Sequence, residues 1–219
     1  MNAAAPRAPF RILCFGDSNT WGARPDGGGR HDAATRWTGV LSHRLGPAYT
    51  VIEEGLRGRT TRLDDDMGPG RNGAAYFAPC LITHQPLDLV ILMLGVNDLK
   101  DRFGQTAADV ADGVDHLIAL VDALPIEGPS DKVPQVLIVA PPRLGTRGAA
   151  FAAVYAHADT KSAELAPALA ALATARGLPF LDASAIVTVA GGDGVHFGAA
   201  GHEALGEALA HVVASLPLR

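Results

Sequence analysis

Cysteine is scarce in this 219-residue chain, with only Cys14 and Cys80 present. Two thiols without metal-ligand spacing exclude a disulfide framework and a cysteine-built zinc site, so both are read as buried free thiols. Basic runs are absent too, and the net charge is −5. That balance excludes general affinity for nucleic acid or an anionic membrane surface. No apolar stretch is long enough to span a bilayer, and Met1 to Pro9, made largely of alanine and proline, lacks the apolar core of a signal peptide. The expectation is a disordered lead-in over residues 1–9 and a cytoplasmic protein. What the chain does have is apolar content: 48% hydrophobic against 19% charged residues. This is ample for a folded core, and 10–219 is expected to form one domain.

Five short apolar segments punctuate the sequence: Phe10 to Phe15, Tyr49 to Ile52, Asp88 to Leu94, Val136 to Val139 and Pro179 to Leu181. Near-continuous aliphatic and β-branched runs suit strands covered on both faces. Helical spacing lies between them. Trp37, Val40, Leu41 and Leu45 form one apolar stripe; Thr106 caps a second helix over Ala107–Ala123; the last runs from about Ala199 to Leu216. Strict strand–helix alternation predicts an α/β fold: a three-layer α/β/α domain around a five-stranded parallel sheet. Ala23 to Thr35, which contains three successive glycines, reads as a long surface loop. In the helical stretch from Phe151 to Arg176, Pro167 removes an N–H and predicts a kink or break there.

Chemistry-bearing residues follow the strands in order. The first strand runs into Gly16-Asp17-Ser18-Asn19-Thr20, placing Ser18 at the sheet edge where open α/β folds bind ligands. Alone, Asp and Ser here are ordinary capping and turn residues. The second strand leads to a loop with Gly55 and Gly58, where a backbone N–H can approach a ligand closely. After the third comes Gly95-Val96-Asn97-Asp98, whose Asn97 amide is a neutral donor suited to a developing oxyanion. After the fifth, Asp193 and His196 share one loop, so the carboxylate can take the Nδ1 proton and leave Nε2 as a base. Chance coincidence of the Ser, Asn and Asp/His patterns is of order one in a few thousand. Asp64-Asp65-Asp66 is expected to be a solvated or capping run rather than a metal cluster.

These segments resemble the four blocks of the SGNH, or GDSL, hydrolase family. The flanking stretches Gly16 to Gly22, Arg36 to Leu41, Val51 to Leu56 and Met93 to Gly95 are similar to its bacterial arylesterase and acyltransferase/perhydrolase branch. The resemblance implies a flavodoxin-like sheet, short-chain ester substrates, no cofactor or metal, and a homo-oligomer in which dimers build to octamers. It also implies Ser18 as nucleophile, Asp193 and His196 as the rest of a triad, and Ser18, Gly58 and Asn97 as oxyanion donors. Val96 and Asn19 depart from the branch at positions bearing on acyl preference and on the balance of hydrolysis and transfer, which the sequence leaves open. Trp21, Val96, Phe151, Val154 and Val195 are the candidate pocket residues. The rival reading is a non-catalytic flavin or nucleotide binder, since doubly wound domains hold phosphates at the first loop. Asp17 opposes it, because a carboxylate there would repel phosphate.

Overall fold

A computed structural model describes residues 8–125 and 132–217. The lead-in expected over residues 1–9 therefore falls, apart from residues 8 and 9, outside the described residues. Five strands, β1 (Phe10–Gly16), β2 (Tyr49–Gly55), β3 (Leu89–Met93), β4 (Gln135–Ala140) and β5 (Phe180–Asp182), form one sheet. Every pairing is parallel, in the order β2-β1-β3-β4-β5. The expected three-layer α/β architecture is what is observed. The order reverses at β1, so the crevice outside its carboxyl end is the switch point at which such sheets bind ligands.

Alternation along the strands sorts side chains onto two faces. Leu13, Phe15, Val90, Leu92, Val136 and Ile138 pack under α3 (Gly73–His84), α4 (Ala107–Asp122) and α6 (Ala158–Arg176). Ile12, Cys14, Leu89, Ile91, Met93, Leu137 and Val139 face α2 (Trp37–Leu45) and α7 (Ala199–Ser215). Each fully buried aliphatic side chain contributes roughly 1.5–3 kcal/mol, so the two interfaces hold the layers together. Both cysteines are buried free thiols, as expected. β2 and β5 are half-buried throughout, because they lie at the two edges of the sheet.

The expected helix at Trp37–Leu45 is reproduced, and α4 starts where expected with a fuller cap than Thr106 alone. Thr106 Oγ1 accepts from the Asp109 N–H at 3.2 Å, and Asp109 Oδ2 accepts from the Thr106 N–H at 2.9 Å. This reciprocal box satisfies two otherwise free donors. No break falls at Pro167. α6 is continuous through Pro167, and the chain breaks earlier, between α5 (Ala149–Ala152) and α6. The cause is Asp101, in the loop after β3: its N–H donates to the Val154 carbonyl at 3.0 Å and its carboxylate accepts from the His157 N–H at 3.2 Å. Those two groups are thereby withdrawn from helical bonding.

Candidate active site

Ser18 opens α1 (Ser18–Trp21), two residues beyond the end of β1. Asp17 caps this turn, its Oδ1 accepting from the Asn19 N–H at 2.9 Å. The turn sits close against β2 because Gly55 has no side chain: a Cβ there would lie 2.2 Å from the Trp21 nitrogen. The sequence places a glycine where two backbones meet, and the serine is held at the sheet edge as a result.

The loop before α7 brings His196 to it. His196 Nε2 lies 2.8 Å from Ser18 Oγ, and His196 Nδ1 lies 2.5 Å from Asp193 Oδ2. Asp193 can only accept as a carboxylate, so Nδ1 carries the proton and Nε2 is left to accept from the Ser18 hydroxyl. The second oxygen, Oδ1, accepts the N–H groups of Val195 and His196, each at 2.9 Å. Partial burial works to raise the Asp193 carboxyl, but the hydrogen bonds from the His196 ring and from the two N–H groups outweigh it and hold the carboxyl below its ordinary value. An anion fixed on one side of the imidazole suits it to take a proton on the other.

Two of the expected donors, Gly58 and Asn97, are linked through the loop after β2. Gly58 has φ +82°, a left-handed conformation in which glycine is unstrained. Neither the Ser18 nor the Gly58 N–H has a protein acceptor among the described residues. Asn97 Nδ2 donates one proton to the Arg59 carbonyl at 3.0 Å, which leaves its second free and ties it to this loop.

Several residues that sequence reasoning passed over hold this arrangement. Asn19, treated above as a determinant of acyl preference, is buried and donates through Nδ2 to the Val195 carbonyl at 3.3 Å. Arg59 is buried across the Phe15 ring and donates to the carbonyls of Gly16, at 2.8 Å, and Glu54. Asp98 accepts from the Thr61 N–H at 3.0 Å and from Thr61 Oγ1 at 2.6 Å, gripping the chain just past Gly58. Burial pushes its carboxyl up to about 6, against the pull of those bonds. Burial likewise raises Asp17 to about 6. A carboxyl already fills the N-terminus of α1, leaving no place there for the phosphate of the rival nucleotide-binding reading.

Asp64 and Asp66 are exposed, in keeping with a solvated or capping run, whereas Asp65 is buried. Its buried carboxylate accepts from Arg102 Nη2 at 2.7 Å and Arg71 Nη1 at 2.9 Å, with Lys100 Nζ 3.8 Å away. Burial works to raise this carboxyl, but the bonds from Arg71, the Met67 N–H and Arg102 prevail and leave it at about 2. Arg71 lies directly over Gly58, its Nε 2.6 Å from where a Cβ would be. The cluster therefore packs behind the donor loop.

A cleft of about 480 Å³ opens beside the base, lined by His196, Asp193, Phe151, Arg57 and the loop from Ala23 to Gly29. Of the candidate pocket residues, Phe151 borders it, edge-on to His196 at 6.0 Å between ring centroids. The other four are placed differently. Val96 and Val195 are buried in the core beneath α4 and α6, Val154 packs against that core, and Trp21 stands behind the wall with the Arg30 and Arg57 guanidinium groups over its ring at 5.0 and 5.4 Å.

Glu54, Cys80 and His84 bring ligand-type atoms within 4.8 Å of one another. His84 lies one helical turn after Cys80, and Glu54 arrives from β2, which spacing along the sequence does not reveal. His84 Nε2 is already bonded to Glu54 at 2.9 Å. Burial, and then the Glu54 charge, push the Cys80 thiol up to about 12. With the Arg59 charge also acting there, the group is a hydrogen-bonded tie between α3 and β2 that opposes a cation.

Residues 14–204 match the GDSL-like lipase/acylhydrolase family. The chain belongs to that family. As a member it is a carboxylic ester hydrolase, and its fold is the SGNH hydrolase α/β fold. The solved structure of the M. smegmatis aryl esterase is 45% identical with a TM-score of 0.90, covering 94% of this chain and 99% of its own. A carbohydrate acetylesterase from Sinorhizobium meliloti is 39% identical with a TM-score of 0.90, covering 94% of this chain and 99% of its own. No curated protein sequence matches the chain. Among the described residues, no helix is long and apolar enough to cross a membrane.

Proposed function

We propose that the chain hydrolyses short-chain esters, aryl or alkyl acetates and acetylated sugars among them, through an acetyl-serine at Ser18. The carrying observation is the pair of bonds on His196, 2.8 Å to Ser18 Oγ and 2.5 Å to Asp193. Nε2 takes the hydroxyl proton as Oγ attacks the ester carbonyl carbon. The carbonyl oxygen becomes an anion facing the N–H groups of Ser18 and Gly58 and the free Asn97 amide proton; loss of one such donor typically costs ~10²–10³ in rate. Collapse breaks the bond to the alcohol oxygen, which leaves with the proton from Nε2. Water then gives a proton to Nε2, attacks the acyl carbon, and releases acid and free Ser18. An alcohol or peroxide in place of water gives acyl transfer by the same steps.

Two neighbours support the substrate class, one described as an aryl esterase and one as a carbohydrate acetylesterase. A cytoplasmic, homo-oligomeric protein belongs to the same reading, and light scattering on purified protein measures the assembly. Turnover of an aryl acetate tests the function. Ser18→Ala is expected to lower kcat by about 10⁶-fold with an unchanged fold, and turnover undiminished in that variant overturns the reading.

A further inference from the structure

Arg57 stands apart from the other charges of the cleft. Arg24 is paired with Asp26 at 2.6 Å, and Asp193 is committed to three protein donors. Arg57 is exposed, lines the same cleft, and among the described residues makes no ion pair or hydrogen bond. Its guanidinium carbon stands 5.4 Å from the centre of the Trp21 ring. Arg30 covers the same ring at 5.0 Å and is held by the Trp21 carbonyl at 2.6 Å and by Glu53. Cation–π contact orients a guanidinium without neutralising it. Arg57 therefore brings an unneutralised charge and five uncommitted donors to the cleft wall.

The cleft is also on a particular side of the ester. His196 is the group that must protonate the departing oxygen, so the alcohol portion has to lie within hydrogen-bond reach of Nε2. The walls of the cleft include His196 and Phe151 but not Asn97. Adjoining His196, the cleft is placed to take the alcohol portion, and at about 480 Å³ it has the size of a small-ligand site.

Resting on the esterase reading above, we propose that Arg57 is a specificity-determining residue that binds a single anionic group, such as a carboxylate, on the alcohol portion of the ester. A planar guanidinium matches a carboxylate with two parallel hydrogen bonds. The preferred substrates are thus short-chain esters of an alcohol or phenol that carries such an anion.

The test compares 4-acetoxybenzoate with its uncharged methyl ester in the full-length protein. The quantity read is the ratio of kcat/KM values, carboxylate over methyl ester, in each variant relative to wild type, which cancels the different leaving abilities of the two phenols. Arg57→Gln is expected to lower this ratio about tenfold, mainly through KM of the charged ester, Arg57→Glu further, and Arg57→Lys least. Added salt is expected to shrink the wild-type preference. A ratio unchanged in both Arg57→Gln and Arg57→Glu overturns the proposal, including the case in which both esters slow equally because Gly58 has moved. Wild type that turns over neither ester at a rate above Ser18→Ala overturns the esterase reading instead.

Discussion

The Asn19 side chain donates to the carbonyl of Val195 at 3.3 Å, joining the residue after Ser18 to the residue before His196. The two halves of the serine–histidine pair are 178 positions apart in sequence, and their 2.8 Å contact depends on the relative placement of these two loops. Among the described residues the buried Asn19 Oδ1 has no hydrogen-bond partner, so the side chain serves the tie alone.

Asn19→Leu is therefore expected to lower kcat about tenfold with little change in KM, since the base is displaced while the cleft is retained. The stability change is expected within about 1 kcal/mol, because the substitution removes an orphaned acceptor together with a hydrogen bond. Steady-state kinetics on an aryl acetate, with a urea melt alongside, reads both. A loss confined to KM would show that Asn19 contacts substrate instead.

Asp98 carries a larger structural burden. Asp98→Ala leaves the Thr61 N–H and hydroxyl without their buried acceptor. The expected loss is about 3 kcal/mol, with kcat falling through the neighbouring Gly58 loop. Asp98→Asn keeps one acceptor and is expected to lose less on both counts. Equal melting temperatures for wild type and Asp98→Ala would refute this.

Asp65 gathers two guanidinium groups and a lysine about one buried carboxylate. Removing its charge in Asp65→Asn leaves those cations facing one another, and a loss of roughly 3–5 kcal/mol is expected, as for other broken buried pairs. Chemical denaturation at neutral pH measures it.

His202 makes the stability pH-dependent. Its Nδ1 accepts from the Trp37 N–H at 3.2 Å, so the neutral ring is the bound form, and burial, aided by the charges of His31 and Arg36, pushes it down to about 3. Between that value and the ordinary 6.5, the unfolded chain binds a proton that the folded chain refuses. Stability from this group is therefore full above about pH 6.5 and falls as pH drops, by about 2 kcal/mol at pH 5. Asp17 and Asp98, raised to about 6, act in the opposite sense: their contribution is full below the ordinary carboxylate value and is lost as pH rises through about 6. Comparing wild type with His202→Asn isolates the first effect. The gap between their unfolding free energies is expected to change in the variant's favour from pH 7 to pH 5, and a gap constant across that range would contradict it.

The parts of the site legible in the sequence are those delivered by strand ends. Ser18, Gly58, Asn97 and the Asp193/His196 loop each follow a strand, and parallel strands carry them to one edge whatever the details between. Asn19, Arg59, Asp98 and Asp65 were not legible as positioning groups because each has a partner far along the chain, as with Asp98 and Thr61, 37 positions apart. Loop side chains follow neither helical nor strand periodicity, so nothing in the pattern told that Val96 and Val195 face the core. The break upstream of α6 was hidden for a related reason: it accompanies the bonds of Asp101, a tertiary partner that no local pattern reveals.

The central claim is that Ser18 carries the acyl group between alcohol and water. Intact-protein mass spectrometry on rapidly quenched mixtures with 4-nitrophenyl acetate, followed by peptide mapping, tests it most directly. The account predicts one acetyl group, located on Ser18, and none in Ser18→Ala. Steady turnover with no acetyl on Ser18, or with the label on another residue, would contradict it.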